Sequence, residues 1–198
     1  MPVTIYKKAT QALNLLARKK GGKINKMKAI KLIFLADRLH LRKYGRPIVG
    51  DMYWAMKLGP VGSLTKNVAE LSSISDEALA YAKKYIKPID GKKQVLTSLK
   101  QEDLSVFSKT DIECIESVYN KFSDKDQFEL AEITHEFPEW IKHKKELDRG
   151  KKRVRMDYDD FFVDAPKGYD LFSQNKSYLE MAKESFLEQK EVSAFFTR

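Results

Sequence analysis

The chain is poor in the residues that bring chemistry of their own. Cys114 is the only cysteine in 198 residues, so an intrachain disulfide is excluded and no Cys cluster can hold zinc. His40, His135 and His143 are the only histidines, and no two of them stand at metal-ligand spacing on one helix. Long apolar runs are missing too. The five residues Leu32 to Ala36 are as long as any, against roughly 20 for a membrane-spanning helix. The opening stretch, MPVTIYKKATQALNLLARKK, has spaced apolar residues and no small-residue cleavage site, unlike a secretory signal. These absences point to a cytoplasmic protein without membrane insertion, with no catalytic residues, no metal site and no cofactor, and hence to a binding protein rather than an enzyme.

Acidic residues are missing from one region. Residues 1–36 hold nine of the 37 Lys and Arg and no acid, while the other 28 basic groups match the 28 acidic ones, so this region carries the whole net charge of +9. The excess is either a surface for nucleic acid or an acidic partner, or a solvated lysine face. Lys19 and Lys20 at its end are candidate contacts. Lys142 to Arg155 is a second basic tract, with eight basic residues against Glu146 and Asp148. It reads as a boundary and linker, or as a nucleic-acid surface through Lys151, Lys152, Arg153 and Arg155.

What is present patterns as helix. Ile5, Ala9, Ala12, Leu13 and Leu16 predict a first helix over about 3–20, ended by Gly21-Gly22. A second helix over about 25–43 is apolar on every side and should be central and buried. Tyr44-Gly45-Arg46-Pro47 stops it. Met52 to Met56 reads as an aromatic strand broken by Gly59-Pro60, with a helix over about 61–71 and a short one near 77–84. Residues 85–89 and 94–97 flank Asp90-Gly91 as a hairpin, with Pro88 placing its strand at an edge. Thr110 to Glu113 and Asp126 to Glu129 are capping-box patterns for two further helices, the latter closed by Pro138. A last helix is expected over about 177–189.

Residues 28–71 carry a specific order of parts. Leu32 to Asp37 supplies a Leu-x-x-Leu-Ala-Asp-like segment, Tyr44 to Pro47 a Tyr-Gly-x-Pro-like turn, and Gly50 to Met56 a Gly-Asp-x-Tyr-x-Ala-Met-like strand. Gly59-Pro60-Val61 follows, and Thr134-His135 with Trp140 fits a Thr-His-x-x-x-x-Trp ending. In this the chain resembles the Panacea antitoxin-domain family, which includes SocA-like antitoxins and phage-associated relatives. The resemblance covers about residues 5–143.

It implies an antitoxin of a toxin–antitoxin system that neutralises a cognate toxin, encoded by an adjacent gene, by direct protein–protein binding. The rival readings are a nucleic-acid-binding regulator and an adaptor that delivers the toxin to a protease. The expected fold is mostly α (α+β): a compact helical domain around a buried central helix, with a small antiparallel β element. A Panacea-like domain over 1–143 would be followed by a basic linker and an aromatic, helical extension over 144–198. Candidate toxin contacts are Asp51, Tyr53, Met56, Lys57, Gly59 and Pro60, with His135 and Trp140. Each has a structural alternative, such as a turn carboxylate at Asp51 or a core-closing ring at Trp140. Phe161 and Phe162 either fold back onto the domain or dock on the toxin. His40 and Asp37, at i and i+3, read as a local pair on a helix face.

Overall fold

The glycine and proline signals fall where the chain turns, and apolar helical faces fill the spaces between. In the computed structural model, which describes residues 3–89, 92–166 and 168–196, α1 (Val3–Lys19) leads through Gly21 and Gly22 into β1 (Lys23–Asn25) and α2 (Lys26–Tyr44). β2 (Tyr53–Met56), β3 (Gly59–Gly62), α3 (Ser63–Glu70), α4 (Asp76–Lys83), β4 (Ile86–Ile89) and β5 (Lys92–Ser98) follow. Then come α5 (Lys109–Phe122), α6 (Gln127–His135), α7 (Pro138–Ile141), α8 (Lys144–Asp148), β6 (Arg153–Arg155) and α9 (Lys176–Phe196). The molecule is mostly helical with antiparallel strands, as expected, but the strands form two small sheets, ordered β1-β5-β4 and β3-β2-β6.

α2 is the axis of the fold. Sixteen of its nineteen residues are buried, so its polar side chains lie inside the protein with its leucines and must find partners there. Asn25 caps it by accepting from Lys28 N. Gly45 ends it at φ 67° and donates to the Leu41 carbonyl. A Cβ on Gly45 would stand 2.5 Å from the carbonyl oxygen of Ala182 in α9, so the same glycine lets the last helix lie against the end of the central one.

Several local expectations shift. Gly59-Pro60 does not end the β structure: β3 begins there and pairs with β2, and α3 starts at Ser63. Lys23–Asn25 is a strand with only Ile24 buried, too short to show a period. The capping box of α5 is Ser108 with Asp111, not Thr110 with Glu113, because the Thr110 hydroxyl turns to His40 and Ser108. Asp126 and Glu129 do form the box of α6. Pro138 opens α7 rather than only closing α6, since a first-turn residue needs no amide hydrogen. Pro88 lies on edge strand β4, as expected, while its Asp90-Gly91 turn lies outside the described residues.

The segment after residue 150 folds back. β6 pairs along β2, with Ala55 opposite Val154. Phe161 packs edge-on to Phe34 at 5.5 Å, and Phe172 meets Phe137 at 5.2 Å. The Arg42 guanidinium donates to the carbonyls of Phe161, Val163 and Phe172. The basic tract from Lys142 to Arg155 is not an open linker, because α8 and β6 occupy most of it.

Candidate partner-binding site

The β2–β3 hairpin positions the residues the sequence singled out. Tyr53 and Ala55 alternate inward and Trp54 and Met56 outward, the period of two that a strand imposes. Lys57 and Leu58 form the turn, exposed, and Leu58 keeps 50% of its surface open to solvent.

Two buried carboxylates hold the approach to this hairpin. Asp37 Oδ1 accepts from Ile48 N at 3.0 Å and Val49 N at 2.9 Å, and Oδ2 accepts from Gly50 N at 3.2 Å and Tyr53 Oη at 3.0 Å. Burial pushes its pKa up to about 6, with the Val49 and Gly50 amides and the Tyr53 hydroxyl opposing. Asp51 accepts from Leu64 N at 2.9 Å and Thr65 N at 2.7 Å, amides in the first turn of α3, and its own carbonyl accepts from Tyr158 Oη at 2.8 Å. Burial raises its pKa too, with the Thr65 and Leu64 amides opposing. Asp37 therefore does not pair with His40. The His40 ring turns instead to the Arg46 carbonyl, 2.7 Å from Nδ1, and to Asp111, 3.0 Å from Nε2.

The far end of the hairpin is held from below. Lys31, fully buried, donates from Nζ to the Pro60 carbonyl at 2.9 Å, and a Cβ on Gly59 would stand 2.6 Å from that Nζ and from Thr134 Oγ1. Burial without a carboxylate partner pushes the Lys31 pKa down to about 7. Trp140 donates from Nε1 to the Met56 carbonyl at 3.0 Å, and His135 stacks on it with ring centres 3.9 Å apart. Burial lowers the His135 pKa.

Of the candidate toxin contacts, Asp51, Tyr53, Gly59, Pro60, Trp140, Phe161 and Phe162 are thus interior and serve the scaffold, and His135 is half-buried beneath the hairpin. Lys57 is exposed and Met56 is half-buried. Phe161 and Phe162 take the folded-back alternative. The motif residues build the platform, and what the platform presents is largely the turn between them.

The basic candidates separate. Lys19 pairs with Glu116 at 2.7 Å, and Lys20 reaches the Ser123 carbonyl at 3.4 Å. Lys8 pairs with Asp111, Arg18 with Glu102, and Lys28 donates to the carbonyls of Ser123 and Lys125. Several of the N-terminal basic side chains are therefore tied to groups of the fold rather than simply solvated. Lys151 pairs with Glu146, and Arg153 lies over the Trp54 ring at 4.5 Å.

Two concavities flank the hairpin. One, of ≈ 490 Å³, lies between Asp51 to Tyr53 and the returning chain at Met156 to Tyr158, with Phe186 and Lys190 of α9. The other, of ≈ 380 Å³, lies beyond the turn between the hairpin and the start of α2. Met27, Ile30, Met56, Leu58 and Val61 line it, and so do Lys57 and Lys152. Sequence reasoning found Met56, Lys57 and Lys152 but missed Lys31 and the Met27 and Ile30 wall. The available signal was a lysine set directly before the apolar run of α2. Among the described residues no three His, Cys, Asp or Glu side chains converge to hold a metal ion.

With the geometry in place, the comparisons add one relationship. The family model described as antitoxin SocA-like, Panacea domain, matches residues 30–141, from α2 to the end of α7. Comparison with curated proteins and with solved structures finds no match.

Proposed function

The chain belongs to the SocA-like antitoxin family with a Panacea domain, and on that premise we propose that it neutralises a toxic protein by direct protein–protein contact. The family match is the observation that carries this reading. It spans the central helix and the hairpin platform, so the part held in common with the family is the part that builds the candidate face.

The mechanism we propose is occlusion. The hairpin turn, with Met56, Lys57 and Leu58, meets the toxin and covers its working surface. Such a binder needs a rigid, presented face, and the ties from Asp37, Asp51, Lys31 and Trp140 to the hairpin and its approach supply rigidity. The returning chain contributes from inside: β6 pairs along β2, and Phe161 of the aromatic segment packs on Phe34 and Tyr53.

Co-expression with the product of the adjacent gene tests the reading. The expected result is growth arrest by the neighbour alone, relief when this chain is present, and a complex that survives purification. A neighbour that is harmless and does not bind overturns it.

A further inference from the structure

The ≈ 380 Å³ cavity beyond the hairpin turn has an uneven chemistry. Its apolar lining comes from aliphatic and methionine side chains, Met27 and Ile30 on α2 and Met56, Leu58 and Val61 on the hairpin. Methionine adapts its shape to what it meets, which suits a surface that receives another chain. Around this apolar lining stand five lysines and one acid. Glu70 is already engaged, 2.8 Å from Lys66 and 3.8 Å from Lys26. Lys57 and Lys152 at its mouth have no acidic partner among the described residues. The cavity is therefore apolar at its centre and carries positive charge that the protein itself does not balance.

We propose that this cavity receives a segment of the partner protein that presents apolar side chains flanked by carboxylates, the apolar side chains entering between α2 and the hairpin and the carboxylates meeting Lys57 and Lys152. The proposal rests on the antitoxin reading for the identity of the partner, but not for the chemistry of the segment. Charge complementarity favours an acidic occupant, since each lysine left unpaired at the mouth gains from a carboxylate and repels a basic chain. A protein fits better than a nucleic acid. No arginine and no aromatic ring lines the cavity, so it lacks both the bidentate phosphate reader and the platform on which bases stack.

Selection from a library of short random displayed peptides, panned against the full chain, tests this without knowledge of the toxin. The enriched peptides are expected to combine apolar residues with net negative charge. Their affinity should fall by about tenfold or more against the Lys57→Glu/Lys152→Glu double variant, and likewise against Leu58→Ser. All three positions are exposed, so circular dichroism should report an unchanged fold. Enriched peptides without an acidic bias, binding untouched by either variant, no enrichment, or displacement by a single-stranded oligonucleotide would each overturn the proposal. The growth assay separates the two readings. If the double variant still rescues growth fully, the cavity is not the contact while the antitoxin reading stands. If the neighbour is harmless, that reading falls and the peptide result still decides the chemistry of the cavity.

Discussion

Arg38 and Glu139 stand 101 residues apart in sequence and meet at 2.7 Å, both side chains fully buried. Arg38 also donates to the Val163 carbonyl at 2.8 Å and lies over the Phe137 ring at 4.5 Å. One guanidinium therefore ties the central helix to α7 and to the returning C-terminal segment. Burial raises the Glu139 pKa, and Arg38 opposes that rise.

Removing one member leaves the other charged and dry. Arg38→Met and Glu139→Leu should each destabilise the protein by about 3–5 kcal/mol in urea denaturation. The double variant should cost clearly less than the two together, because no orphan charge remains. Strict additivity would show that the pair is not coupled as the geometry implies.

Asp37 offers only acceptors to four donors. Asp37→Asn keeps the shape but turns an NH2 group toward either the Ile48 and Val49 amides or the Gly50 amide and Tyr53 hydroxyl, at a cost of about 1–3 kcal/mol. Tyr53→Phe removes one donor alone and should cost less, about 0.5–1.5 kcal/mol. Thermal melts rank the two, and the reverse order would contradict this account.

Lys31 should make stability depend on pH in an unusual window. Its pKa is about 7 when folded against 10.5 as the ordinary value. Between those values the unfolded chain holds the proton and the folded chain does not, so stability rises with pH through the window. Below it both states are charged and the cost of burying the cation is constant. Relative to Lys31→Met, the wild type should gain at most about 1.4 kcal/mol per pH unit across the window. Parallel urea midpoints for the two proteins from neutral to alkaline pH would mean that the ammonium stays charged in the fold.

Gly45 and the last helix are linked. Gly45→Ala places a side chain in the left-handed region and against the Ala182 carbonyl, and should cost at least about 1–2 kcal/mol. Limited proteolysis should then cut α9 first. A chain ending before Tyr158 should fare worse and lose cooperative folding, since Arg42 loses its carbonyl partners and Phe34 loses Phe161. A truncated chain that still melts cooperatively would place the C-terminal segment outside the folding unit.

Helix identity was legible wherever a long apolar period existed. α1, α2 and α5 follow from spacing, and Gly45 and Pro88 mark their turns and edges by backbone chemistry that is local. The all-round apolar pattern of α2 also announced a central helix. Local pattern could not show what its polar residues do. Asp37, Arg38, His40 and Arg42 look like an ordinary polar face, yet the chain returns over them and each becomes a buried tie to a loop, to α7, to α5 or to the C-terminal segment. The same limit held at the site. The motif named the hairpin, but burial decides which residues support it and which face outward, and burial depends on β6 and α6 arriving from far along the chain. Composition gave the positive charge, while only the tertiary fold decided that four of the nine N-terminal basic groups, Lys8, Arg18, Lys19 and Lys26, find an acidic partner and that Lys57 and Lys152 find none among the described residues, because ion pairing depends on distances in space and not on spacing along the sequence.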